Sequence, residues 1–219
     1  MDYVPITGPA AWLIAAIAAC GAIAILAHER GWRTGVYVFK PLTTLLVIAL
    51  AWRAGGHPAY SQLILAGLAL SLVGDVFLML PRDRFVAGLV SFLLAHLCYM
   101  AAFASASFRL DWWVALPLAV YSALLLRILL PHTGKLKIPV VVYAAALAAM
   151  AWLAVERAVA GLPGAGFAAA GALLFVASDS ALALDRFRGR FRHAQALVVA
   201  TYFAAQTLIA ISVYYVHVI

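Results

Sequence analysis

Two aspartates sit inside apolar runs long enough to cross a membrane: Asp75 in LILAGLALSLVGDVFLML and Asp179 in FAAAGALLFVASDSALAL. A carboxylate at the middle of a membrane helix costs roughly 2.5–3.5 kcal/mol unless it faces an interior cavity or a partner. Two of them, at similar distances from a basic loop, call for a shared purpose. Paired carboxyls in an apolar chamber suit acid–base chemistry. Desolvation and a like-charged neighbour favour the protonated form of one, while the other steadies a developing positive charge. The competing reading is a structural ion pair with Lys40 or His96.

The elements that must position these groups are membrane helices. Of the 219 residues, 67% are hydrophobic and 11% charged, and the mean hydropathy is +1.05. Soluble domains carry about 25% charged residues, so the chain reads as one all-α, polytopic membrane domain over residues 1–219. A span needs about 20 apolar residues. That length yields eight spans, at 8–27, 37–54, 60–80, 85–106, 111–130, 138–159, 164–184 and 194–217. Pro81 stops the third, Pro131 follows the fifth, and Gly161-Leu162-Pro163-Gly164 breaks between the sixth and seventh. Cys20 and Cys98 fall in apolar runs and read as small core residues. The N-terminus lacks the positive region of a signal peptide, so the first run is kept as a span.

The net charge of +7 does not signal nucleic acid, because the basic residues lie at the ends of apolar runs. Twelve of the fifteen fall in or beside the odd-numbered loops: Arg30, Arg33, Lys40, Arg82, Arg84, Arg127, Lys135, Lys137, Arg186, Arg188, Arg190 and Arg192. Only Arg53, Arg109 and Arg157 lie on the other side. The positive-inside rule then makes the odd loops cytoplasmic and puts both termini on the non-cytoplasmic side.

The spans also divide into similar halves, 8–106 and 111–217. Phe39-Lys40-Pro41 parallels Lys137-Ile138-Pro139, and Val73-Gly74-Asp75 parallels Ala177-Ser178-Asp179. A basic aromatic loop follows each aspartate. An even shift of four spans describes a parallel internal repeat. Both aspartates then lie roughly 9 Å beneath the cytoplasmic ends of their helices, placed to share a cavity facing the inner leaflet.

Further polar groups sit within the spans. His96 and Tyr99, three apart, share a helix face, as do Tyr202 and Gln206, four apart. Each pair reads either as hydrogen-bonding support for the acids or as packing. Tyr143 and Ser178 are further candidates for supporting roles. Lys40, placed at the cytoplasmic start of span two, reads as a phosphate-binding point charge or as a snorkelling interface residue.

These residues resemble the YhhN-like membrane proteins, the lysoplasmalogenase family. The resemblance lies in Lys40-Pro41, in SLVGDVFLMLP, and in FVAGLVSFLLAHLCY with His96 and Tyr99. It continues in FVASDSALAL with Asp179 and in TYFAAQTLIAIS with Tyr202 and Gln206, and so covers most of the chain. It implies an eight-span helical enzyme of a bacterial inner (plasma) membrane that cleaves the vinyl ether bond of lysoplasmalogens without a cofactor. The expected products are a fatty aldehyde and a glycerophospho-alcohol, and the expected partner is a lysophospholipid drawn from the cytoplasmic leaflet. Vinyl ether hydrolysis protonates carbon and passes through an oxocarbenium ion, which fits two carboxyls with separate roles. Asp75 and Asp179 are the expected catalytic pair, in either order.

Rival classes fit less well. His28, His57, His132, His193 and His217 fall at loops or helix ends and no His-x-x-x-His pair occurs, so no metal site is expected. No Gly-x-Ser-x-Gly elbow is present. The main alternative is a proton-coupled transporter of a small or amphiphilic substrate, since parallel repeats with intramembrane acids suit one. Against it, both acids sit toward one face. A purely structural membrane partner is the third class.

Overall fold

The computed structural model describes residues 8–54, 59–80, 84–106 and 110–216. His57, Pro81, Arg82, Arg109 and His217, invoked above for span limits and topology, lie outside them. Eight helices follow in order: α1 Pro9–Glu29, α2 Arg33–Arg53, α3 Ala59–Met79, α4 Phe85–Phe103, α5 Trp112–Leu129, α6 Lys137–Val159, α7 Ala165–Ala183 and α8 Ala194–Val216. No strand occurs among the described residues. All eight are long and apolar enough to cross a membrane.

Local chemistry accounts for several helix limits. Pro9 opens α1, where its missing N–H costs nothing. α1 closes with Gly31 at φ 66° and a Trp32 N–H bonded to the Ala27 carbonyl at 2.8 Å, and α6 closes in the same way around Gly161. α7 runs on into a wide π turn, Leu184–Arg188, which ends at Gly189.

One limit differs from expectation in a way that matters for the site. The second span was expected from residue 37, but α2 begins at Arg33. The polar Arg33-Thr34-Gly35 stretch winds into the first helical turn, with Arg33 exposed. Lys40 therefore lies about 10 Å along the helix from its first residue, and Pro41 lies inside α2 rather than at its start.

The helices pack through small residues, as membrane helices do. Ala24, Ala95, Ala102, Ala154, Ala168, Ala172, Ala205 and Ala210 are fully buried between neighbours. At Gly171 a Cβ would come within 2.8 Å of the Ala205 carbonyl, so α7 and α8 approach too closely for any side chain there. α8 is the most buried helix and packs against α1, α2, α3 and α7. α5 lies at the periphery, with only 6% of its span buried, and rests mainly on α6. The outward faces carry exposed Leu, Val and Ile, which suits contact with lipid.

Candidate active site

The C-terminal ends of α3 and α7 bring the two acids to one place. Asp75 stands four residues before the end of α3, and Asp179 four before the end of α7. Each is thus about 6 Å from its helix end. Both line a single cavity of about 920 Å³, together with Lys40, Ser178 and Tyr202. Gly31, Leu80 and Gly189, which follow α1, α3 and α7, line this cavity, as do Arg33, Arg84, Arg186 and Arg190. The basic residues thus stand beside the acids at the same end of the bundle.

The two carboxyls have different surroundings. Asp75 is 1% exposed, and its Oδ1 lies 3.0 Å from Lys40 Nζ. Its Oδ2 accepts hydrogen bonds from Thr44 Oγ1 at 2.9 Å and from the Tyr202 hydroxyl at 2.8 Å. An ammonium and two hydroxyls thus converge on this one carboxyl group, with Lys40 on one oxygen and both hydroxyls on the other. Asp179 is less enclosed and accepts a hydrogen bond from the Tyr143 hydroxyl on Oδ2. None of the cations among the described residues forms an ion pair with it.

Lys40 reaches Asp75 because it lies two turns inside α2, on the same face as Thr44 four residues on. Thr44 was not singled out from the sequence. Its one signal was that spacing from Lys40, which is weak because threonine is common in membrane helices.

An aromatic floor lies beneath the acids. Phe92 and Phe175 meet the Tyr202 ring edge-on at 5.8 and 5.5 Å. Gly74, next to Asp75, is glycine because Phe92 occupies its Cβ position, with the ring 2.7 Å from where that atom would stand.

The remaining candidates separate into two groups. Ser178 is buried at the cavity wall and donates to the Val198 carbonyl at 3.1 Å. Tyr99 and Gln206 bond to each other at 2.7 Å and do not line the cavity. His96 is fully buried between the rings of Tyr143, at 5.1 Å, and Phe175, at 4.8 Å. Neither of its ring nitrogens has a hydrogen-bond partner among the described residues. It therefore touches Tyr143, which bonds Asp179, but bonds neither acid itself.

A second, apolar crevice of about 60 Å³ adjoins the first. Leucines of α5 and residues of α4, α6 and α7 line it, and Asp179 lines both spaces. The arrangement offers a carboxylate held by a cation, a second carboxyl held by a phenol, a basic mouth, and an apolar recess beside the second carboxyl.

Comparison with known proteins adds to this geometry. The YhhN family profile matches residues 35–213. The "Uncharacterized membrane protein YhhN" of Escherichia coli O157:H7 is 36% identical over 208 residues, covering 93% of this chain and 99% of that protein. The protein named "Lysoplasmalogenase TMEM86B" of Homo sapiens is 36% identical over 175 residues, covering 79% and 73% respectively. "Lysoplasmalogenase TMEM86A" of Homo sapiens is 34% identical over 194 residues, covering 83% and 78%. No solved structure matches the chain significantly.

Proposed function

This chain belongs to the YhhN family, and from that premise we propose that it hydrolyses the vinyl ether bond of lysoplasmalogens. The observation that carries the reading is that Asp75 and Asp179 line one cavity with a basic mouth. The names of the human relatives supply the substrate class.

The unequal surroundings of the acids suggest their roles. Asp179, held by a phenol and bordered by apolar residues, is the proton donor. Asp75, held by Lys40, Thr44 and Tyr202, is the carboxylate. Asp179 gives its proton to the vinyl carbon remote from oxygen, and the remaining carbon–oxygen unit becomes an oxocarbenium ion. Asp75 opposes that charge electrostatically and takes a proton from the water that attacks the cation. The resulting hemiacetal collapses: Asp75 returns its proton to the departing glyceryl oxygen, and Asp179 takes the proton of the hemiacetal hydroxyl. Aldehyde and alcohol leave with both acids in their starting forms and one water consumed. Separate roles for two carboxyls around such a cation follow the logic of glycoside hydrolysis.

The phosphate is assigned to the arginines at the mouth, since the Lys40 charge is engaged with Asp75. The basic end is placed at the cytoplasmic face by the positive-inside rule. The lipid then arrives from the inner leaflet of the bacterial plasma membrane, and both termini lie across it.

The test is aldehyde release. Purified protein in detergent, given 1-alkenyl lysophosphocholine or lysophosphoethanolamine, should liberate fatty aldehyde with no ion gradient present. Asp75→Asn and Asp179→Asn should each lose turnover while remaining folded. If no alkenyl lipid is cleaved, yet reconstituted vesicles take up an amphiphile when a proton gradient is applied, the protein is a carrier and the proposal fails.

A further inference from the structure

The apolar crevice beside Asp179 has no part in proton transfer, yet it is built next to the reacting position. We infer that it receives the first carbons of the substrate's aliphatic chain and sets which chains are cleaved. The inference rests on the hydrolase reading above for its catalytic consequence, though not for its binding claim.

Three observations point to an aliphatic occupant. The crevice is continuous with the polar cavity: Leu78, Phe85, Phe92, Asp179 and Leu182 line both. Asp179 is the one acid common to the two spaces among the described residues. A single-chain phospholipid laid across this junction has its charged head toward the arginines, its chain in the crevice, and its head-to-chain linkage at Asp179.

The polar groups of the crevice other than Asp179 are already satisfied. The Tyr143 hydroxyl donates to Asp179, and Ser180 accepts from Tyr121 at 2.8 Å and donates to the Val176 carbonyl at 2.7 Å. What remains toward an occupant is hydrocarbon from Leu125, Leu126, Leu129, Val140 and Leu147. A polar head placed there would lose its hydrogen bonds to water and gain none.

The crevice is narrow. About 60 Å³ is roughly the liquid volume of two water molecules. That admits a few methylenes in single file and leaves the rest of the chain to the bilayer. α5, which forms one wall, is also the least buried helix, and Leu124 and Ile128 on it are exposed. A single helix therefore separates the crevice from lipid, and the chain has a short route sideways into the membrane.

Two measurements test this. In the first, wild-type protein in phosphatidylcholine vesicles is photolabelled with a 1-O-alkyl lysophosphocholine carrying a diazirine near the ether end of its saturated chain. This probe is not cleavable, so labelling does not depend on turnover. Labels are expected on the α5 stretch Leu125–Leu129 or on α6 near Leu147; labels confined to the outer faces of α1 and α2 overturn the inference. In the second, Ala144→Leu narrows the crevice, which Ala144 lines, and kcat/KM is compared for a long-chain alkenyl lysolipid and its ethenyl analogue, which has no carbon beyond the reacting double bond. The ratio of long to short should fall at least roughly tenfold, as expected for misfit of a methylene in a hydrophobic pocket. An unchanged ratio in an active variant rejects the crevice and leaves the hydrolase reading standing. If wild-type protein cleaves no vinyl ether at all, the hydrolase reading fails and the labelling alone decides the crevice.

Discussion

Lys40 and Asp75 form a buried ion pair, Nζ to Oδ1 3.0 Å, with the lysine side chain 12% and the aspartate 1% exposed. Removing one partner of such a pair strands the other charge and costs about 3–5 kcal/mol. Lys40→Met should therefore lower the unfolding midpoint in detergent by on the order of 10 °C and suppress aldehyde release. The double variant Lys40→Met/Asp75→Asn removes both charges and should recover most of the lost stability without recovering turnover. A Lys40→Met protein as stable and as active as wild type would show that the pair matters to neither.

The hydroxyls on Asp75 Oδ2 carry a second prediction. Thr44 and Tyr202 both donate to that one oxygen. A hydrogen bond to a charged group contributes about 1.5–3 kcal/mol. Thr44→Val and Tyr202→Phe should each reduce kcat by roughly 10- to 100-fold, with KM little changed and the protein still folded. Because the two donors share an acceptor, the combined loss should depart from the sum of the single losses. Strict additivity across the double-mutant cycle would argue that the two hydroxyls act independently of Asp75.

The acids were legible from sequence because a carboxyl inside a hydrocarbon run has few explanations. Helix number was legible for a related reason: apolar length is set by the bilayer. The start of α2 was not, because Arg33, Thr34 and Gly35 lower the local hydropathy and imitate a loop. That shift of one turn changed the surroundings of Lys40 from interface to interior. Partnerships between distant helices were out of reach as well. Tyr99 pairs with Gln206, 107 residues away, and Tyr143 with Asp179. Each depends on helix rotation, which tertiary packing decides and local periodicity does not.

Gly74 offers a test of packing beneath the site. A methyl group there would stand 2.7 Å from the Phe92 ring, which itself meets Tyr202 at 5.8 Å. Overpacking of this kind costs about 1–3 kcal/mol. Gly74→Ala should lower the unfolding midpoint and also reduce kcat, because a displaced Phe92 presses on the tyrosine that bonds Asp75. Adding Phe92→Leu should restore part of both. Full activity in the single variant would mean that the ring can shift without disturbing Tyr202.

The basic mouth predicts a different kinetic signature. Arg33, Arg84 and Arg190 line the cavity and are exposed, so each acts on a phosphate through water. Exposed charge pairs contribute about 0.2–1 kcal/mol, which corresponds to roughly a 1.5- to 5-fold change in affinity. Single alanine substitutions should raise KM by about that factor and leave kcat near the wild-type value, the pattern of lost ground-state binding. The triple substitution should raise KM further. Salt provides the control: screening weakens exposed charges strongly at high ionic strength, so the gap between wild type and the triple variant should narrow as sodium chloride is raised. A fall in kcat at constant KM would instead place these arginines in the chemical step, and a gap insensitive to salt would remove electrostatics as the cause.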